Sequence, residues 1–272
     1  MLAAVAVFAQ DIISAKEAAG LLKNDEVVIV SARTPSDYSK VHIPGAVNID
    51  HKSLYAENSM LADPSNISSI FGENGISNNS KVLIYDDGSM KYSGRVYWIM
   101  KYMGVNDVKV IDAGMKGWRM ARKPVTKNPT NVESASFTPK PNASIISTMN
   151  QVQRATNNNA IVLLDVRSEA EYNGQATTKL RPGHIPTAVN LEYLNVLNSD
   201  GTLKSKEELK GVFTNAGITP DKEIILYCET SVRAGIVFLA LKSGLNYPKV
   251  RVYDGAYLEW QSDSGNTIQE AE

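Results

Sequence analysis

The chain has little of what most often builds a site. Cys228 is the single cysteine in 272 residues, so an internal disulfide and a cysteine-based metal cluster are both excluded. The three histidines, His42, His51 and His184, lie far apart in the sequence, and no bound metal or other cofactor is expected. Charge of one sign is also missing: 28 Lys and Arg stand against 29 Asp and Glu, a formal net charge of −1. That balance gives no electrostatic reason for nucleic acid or an anionic membrane as partner, and any anion site must be local. Long apolar runs are absent, since a membrane-spanning helix needs about 20 such residues. The nearest is the opening M-L-A-A-V-A-V-F-A-Q, which reads as the tail of a secretory h-region with a cleavage site after Ala9, or else as a first strand or a disordered end. On the first reading the protein is periplasmic or otherwise exported; the alternative is cytoplasmic.

What the chain does have is length for two domains and an internal repeat. H-I-P-G-A-V-N at 42–48 recurs as H-I-P-T-A-V-N at 184–190, an offset of 184 − 42 = 142. Tyr85 and Tyr227, Asp112 and Asp254, and Trp118 and Trp260 are paired at the same offset. Arg33 matches Arg167 and Tyr38 matches Tyr172 at 134, so the second copy holds eight extra residues before His184. Two homologous domains are therefore expected, at 10–122 and 143–272. Between them, 123–142 contains four prolines and many small polar residues, the composition of a linker or strap.

Each copy alternates short β-branched runs with amphipathic ones. Val27–Val30, Val82–Tyr85 and Val108–Ile111 in the first copy, and Ile161–Leu164, Ile224–Tyr227 and Val250–Tyr253 in the second, read as buried strands. Gly94–Met103 and Gly235–Lys242 read as helices. The fold class that follows is α/β: two homologous domains, each a parallel sheet flanked by helices on both faces, with sites at the carboxyl ends of the strands. Each domain is expected to bury its own core.

Cys228 stands at such an end, in I-I-L-Y-C-E-T-S-V-R, followed by the apolar run A-G-I-V-F-L-A-L. Before context, a lone cysteine is more often an inert core thiol than a nucleophile. A core thiol, however, gains nothing from the polar residues Glu229, Thr230 and Ser231 directly after it. Backbone N–H groups at a helix start favour negative charge, whether a thiolate or a bound anion. A nearby arginine acts the same way, and such surroundings lower a cysteine from ~8.5 to roughly 3.5–7.5. The predicted catalytic residue is Cys228, with Glu229, Thr230, Ser231, Val232 and Arg233 forming the substrate cradle.

This loop resembles the active-site loop of the rhodanese sulfurtransferases, and C-E-T-S-V-R is most like the bacterial tandem rhodaneses whose loop reads Cys-Gln-Thr-x-x-Arg. The resemblance runs from about Ile12 to Gln261 and includes Asp165-x-Arg167, both His-Ile-Pro segments and the two closing tryptophan motifs. It implies removal of sulfane sulfur from a donor such as thiosulfate, a persulfide on Cys228, and transfer to a thiophilic acceptor, cyanide or a thiol. With no second cysteine to resolve the persulfide, that acceptor comes from outside, and the expected state is a monomer. The resemblance also implies that only the second domain is catalytic, because Asp86 stands at the position matching Cys228.

In the first domain Ser31 stands where the family has the Asp of Asp-x-Arg, and the second domain departs from the family in two places. Glu171 stands where several members have an arginine for the donor's anionic end, so another cation must serve; Arg233 is the first choice, with Arg181 or Lys179 second. Glu229 beside the nucleophile is expected to face outward. Asp165 and Arg167 read as structural, with Arg167 able to meet Glu171 at i,i+4. His42 and His184 read as turn histidines, with His42 a candidate for the interdomain cleft. Phosphatases and arsenate reductases also hold a cysteine in an amide cradle, but with Cys-x5-Arg; the four residues between Cys228 and Arg233 favour a small sulfur-centred target. The alternatives kept are 3-mercaptopyruvate as donor, and a persulfide or polysulfide carrier with little turnover.

Overall fold

The computed structural model describes residues 11–24 and 26–270, so the reading of the first ten residues lies outside the described part. The first unit runs β1 (Ile12–Ile13), α1 (Ala15–Gly20), β2 (Val27–Ser31), α2 (Pro35–Lys40), β3 (Ala46–Asn48), α3 (Pro64–Glu73), β4 (Lys81–Tyr85), α4 (Lys91–Met103), β5 (Asp107–Ile111) and α5 (Gly114–Met120). The second repeats it with β6 (Ile146–Ser147), α6 (Met149–Ala155), β7 (Ile161–Asp165), α7 (Glu169–Tyr172), β8 (Val189–Asn190), α8 (Lys206–Asn215), β9 (Glu223–Tyr227), α9 (Ala234–Leu239), β10 (Val250–Tyr253) and α10 (Ala256–Ser262). Both sheets are parallel and have five strands, in the orders β1-β5-β4-β2-β3 and β6-β10-β9-β7-β8. The central strands β4 and β9 are buried runs, as a parallel sheet covered on both faces requires.

The expectation of two separate cores needs correction. Each unit has an outer apolar cluster of its own, around Trp118 in the first and Trp260 in the second. A third and larger cluster is shared: Val96, Trp98 and Ile99 of α4 lie in the same buried group as Ile236, Val237 and Phe238 of α9. The two helices meet where neither has a side chain. A Cβ on Gly94 would stand 2.5 Å from the Ile236 nitrogen, and one on Gly235 would clash with the Gly94 carbonyl carbon. The units are joined as one packed body through these helices.

Two carboxylates tie the units further. Asp254 accepts from the Leu61 N–H at 2.6 Å, and its repeat partner Asp112 accepts from the Leu203 N–H at 2.9 Å. Leu61 and Leu203 are themselves 142 residues apart, so the contact is a pseudo-symmetric pair. Burial pushes Asp112 up to about 6, against the pull of the Leu203 N–H, with the Asp200 charge adding to the rise.

The segment 123–142 has no helix or strand and lies along the first unit. Its Thr126 pairs with His42, its Ala135 N–H reaches the Gly72 carbonyl, and Phe137 is buried against Phe71. His42 is therefore not a cleft residue: Nδ1 meets the Tyr38 carbonyl oxygen at 2.8 Å and Nε2 the Asn128 carbonyl oxygen at 3.0 Å, under the strap. His184 holds the Tyr172 carbonyl oxygen in the same way.

The repeat offset changes inside the helices. Tyr85 and Tyr227 are 142 apart, but the meeting glycines, Gly94 and Gly235, are 141 apart. The loop after β9 is thus one residue shorter than the loop after β4. The missing residue returns within the second helix, which continues as a π-helical turn at Ala240–Gly244. Beyond that turn the left-handed residues Gly104 and Asn246 are 142 apart again.

Candidate active site

The buried strand β9 delivers Cys228 to the carboxyl edge of the second sheet, and the next three peptide planes are fixed in turn. The Cys228 carbonyl accepts from the Tyr257 N–H at 2.9 Å, the Glu229 carbonyl from the Leu258 N–H at 3.0 Å, and the Thr230 carbonyl from Arg95 Nη1 at 3.3 Å. In a trans peptide the N–H points opposite the C=O. Carbonyls held outward therefore turn the amides of Glu229, Thr230 and Ser231 inward, and among the described residues none of the three has an acceptor. Ser231 makes the turn at φ +57, after which Arg233 caps α9.

The first unit shows what such a loop holds. There the Asp86 carboxylate accepts from the N–H groups of Gly88 at 2.8 Å, Met90 at 3.1 Å, Tyr92 at 3.1 Å and Ser93 at 3.2 Å. Met90 is the left-handed residue, at φ +56, that matches Ser231. The amide cradle is an anion site, and in this half a carboxylate from the chain itself fills it. Burial pushes Asp86 up, and the amides pull against it.

In the second unit the cradle opens on a cavity of about 550 Å³ between the two domains. Cys228 is only 1% exposed yet lines it, so the sulfur sits deep in the cavity rather than at its mouth. Glu229, Thr230, Val232 and Arg233 line it too, with Ser168, Glu171, Glu192 and Tyr193 on the same side and Lys91 and Tyr92 across from them. Two of the predicted residues are not brought to it. Ser231 is fully buried with its hydroxyl on Asp254 at 3.2 Å and on Arg95, because its left-handed backbone turns the side chain toward the domain interface. Arg181 is not among the cavity's lining residues; its N–H donates to Gln261 Oε1 at 2.7 Å and its guanidinium lies by the Gln261 carbonyl, holding the inserted segment onto α10.

Glu171 neither meets Arg167 nor stands alone. It grips Arg233 through both oxygens, at 2.6 and 2.8 Å, while Arg167 is spent on Asp165 at 2.6 Å and the Gly183 carbonyl. A backbone turn that buries Asp165 beside Arg167 satisfies both locally, which leaves Glu171 for the loop. Burial would raise Glu171, but hydrogen bonds and charge from Arg233, with Ser168 helping, hold it at about 2. Glu229 lies at the cavity wall with its side chain 46% exposed and 3.9 Å from Arg233.

Sequence reasoning missed Lys91, Tyr92, Arg95 and Asp254. The first three lie in the domain that the resemblance implies is not catalytic, and the sequence shows the pairing of Asp254 with Asp112 only as repetition. For Arg95 the signal was a charge within an apolar stretch of helix: it is flanked by Gly94 and Val96 and followed by Tyr97 and Trp98.

Both halves match the Rhodanese-like domain family, over residues 14–121 and 148–263. A protein of Synechococcus elongatus, provisionally named a thiosulfate sulfurtransferase, is 35% identical over 262 residues, covering 91% of this chain and 81% of the relative. The 3-mercaptopyruvate sulfurtransferase of Escherichia coli K12 is 29% identical over 256 residues, covering 88% and 90%. The solved E. coli 3-mercaptopyruvate sulfurtransferase superposes with a TM-score of 0.84, covering 91% of this chain and 98% of that one. The anaerobic ergothioneine biosynthesis enzyme of Chlorobium limicola, solved with trimethyl histidine, gives 0.88 at 25% identity, covering 96% and 70%. With the repeat, the paired parallel sheets and these matches together, the chain belongs to the rhodanese family of sulfurtransferases, as a tandem of two rhodanese-like domains.

Proposed function

We propose that this chain moves sulfane sulfur from thiosulfate to a thiophilic acceptor through a persulfide on Cys228. The Cys228 thiolate attacks the outer sulfur of thiosulfate, a new S–S bond forms, and the old one breaks with its electron pair leaving on sulfite. Cyanide or an external thiolate then attacks the outer sulfur of the persulfide, giving thiocyanate or an acceptor persulfide and returning the thiolate. The observation that carries this reading is the outward anchoring of three successive carbonyls, which turns the Glu229, Thr230 and Ser231 amides toward the side where a bound anion would lie. Arg233 supplies the neighbouring positive charge, tempered by Glu171.

A second donor, 3-mercaptopyruvate, is named for the E. coli relative. Its carboxylate needs a cation of its own, and with Arg181 off the cavity Lys91 is the remaining one on the wall. Thiosulfate, which needs only the amides and Arg233, is favoured for that reason. Incubation with thiosulfate is expected to leave the protein heavier by one sulfur atom in intact-mass spectra, with cyanide removing it as thiocyanate. Cys228→Ser is expected to take up nothing; sulfur retained by that variant ends the persulfide reading. Loading without turnover indicates a carrier, and a higher kcat/KM with 3-mercaptopyruvate reassigns the donor.

A further inference from the structure

Arg95 belongs to α4 of the unit without the cysteine, is fully buried, and spends the one nitrogen that has a partner among the described residues on the other unit. Nη1 reaches the Thr230 carbonyl at 3.3 Å, the Ser231 hydroxyl, and Asp254 Oδ1 at 3.1 Å. We propose that Arg95 is a positioning residue for sulfur transfer: by pinning the Thr230 carbonyl and the Ser231 hydroxyl it aims the Ser231 N–H at the anionic sulfur over Cys228. The inference rests on the persulfide reading above.

Three observations carry it. The peptide joining Thr230 to Ser231 is trans, so the pull of the guanidinium on the carbonyl fixes the direction of the Ser231 N–H. The matching amide in the first unit, that of Met90, donates to a resident anion, the Asp86 carboxylate. Finally, the residue is costly to keep. Nε and Nη2 have no partner among the described residues, and the charge rests on Asp254 and on the faces of Tyr55 and Trp98, 4.7 and 5.0 Å away. In the second unit the residue after the contact glycine, Gly235, is the fully buried Ile236, so an apolar side chain satisfies the packing at that place. A half-satisfied buried guanidinium is weak stabilisation, and its geometry is the reason left for it. Asp254 completes the clamp, since its second oxygen takes the Leu61 N–H from the first unit.

The test compares Arg95→Met, Arg95→Lys and the double variant Arg95→Met/Asp254→Asn, which leaves neither charge unpaired, with the wild type in the full chain. Near-UV circular dichroism reports folding, iodoacetamide at pH 7 the reactivity of Cys228, and thiosulfate–cyanide kinetics the turnover. Folded variants are expected to alkylate about tenfold more slowly and to lose about 100-fold in kcat/KM, as removal of one anion-binding donor does, with Lys restoring part of each. If Arg95→Met loses the native spectrum, the double variant is the one judged. A folded variant with wild-type alkylation and kinetics, differing only in Tm, overturns the proposal. Failure of the wild type itself to load sulfur strikes the persulfide reading instead, while the alkylation comparison still judges Arg95.

Discussion

Replacing Glu171 with glutamine removes one negative charge from beside Arg233 without changing shape, and its effects on stability and on donor binding run in opposite directions. The folded protein keeps this carboxylate ionised down to about 2, whereas the unfolded chain protonates it near 4.5, the ordinary value for a glutamate. The depressed value means that the pair stabilises the fold above 4.5 and that this contribution is lost as pH falls from about 4.5 toward about 2. At roughly 1.4 kcal/mol per unit the ceiling is about 3 kcal/mol, and with the side chains 13% and 19% exposed a measured loss of about 1–3 kcal/mol at pH 7 is expected. Donor binding should improve. A carboxylate on the order of 6 Å from a bound sulfonate, at an effective dielectric of about 20–40, opposes each unit of its charge by roughly 1–3 kcal/mol. Glu171→Gln is therefore expected to lower the KM for thiosulfate about tenfold with kcat nearly unchanged, while lowering the urea midpoint. Steady-state kinetics across pH 5 to 8 and urea unfolding at pH 7 and pH 3 read both. An unchanged or raised KM would refute the reasoning, and would show that Glu171 serves to hold Arg233 in place.

Two further outcomes follow from the interface. Asp112 has its value raised from 3.8 to about 6, so its charged form destabilises the fold progressively as pH rises through that window; Asp112→Asn, still able to accept from Leu203, should gain about 1–2 kcal/mol at pH 7.5 and nothing at pH 4, by urea unfolding. Gly235→Ala places a methyl against the Gly94 backbone, where no flexible side chain can yield, and should cost about 3 kcal/mol or more and weaken the joining of the halves, seen as an unfolding transition that splits or drops in midpoint.

Where residues act through local pattern, the sequence already carried the answer. The β-branched runs of β4 and β9 give buried parallel strands, and the polar run after Cys228 marks the loop. Asp165 and Arg167 are structural, as read from the sequence, and they satisfy each other two residues apart, while the i,i+4 contact of Arg167 with Glu171 is not made. What could not be read were contacts that only the packing of two units creates. Glu171 and Arg233 are 62 residues apart and meet because α7 and the β9 loop end at the same sheet edge. Arg95 and Ser231 are 136 apart and meet because two glycines let α4 and α9 touch. Ser231 was placed in the cradle by its position, and its backbone is there; only its left-handed conformation sends the side chain elsewhere.

The π-helical turn at Ala240–Gly244 has a consequence for the loop that carries Cys228. Deleting one residue from a loop that feeds a helix rotates everything after it by about 100°, enough to carry the apolar face of that helix away from its partner. Here the widened turn absorbs the rotation after three turns or fewer, so β10 and α10 never register the deletion. The length of the loop around Cys228 can thus change independently of the scaffold, with the mismatch stored in a segment outside the cavity lining.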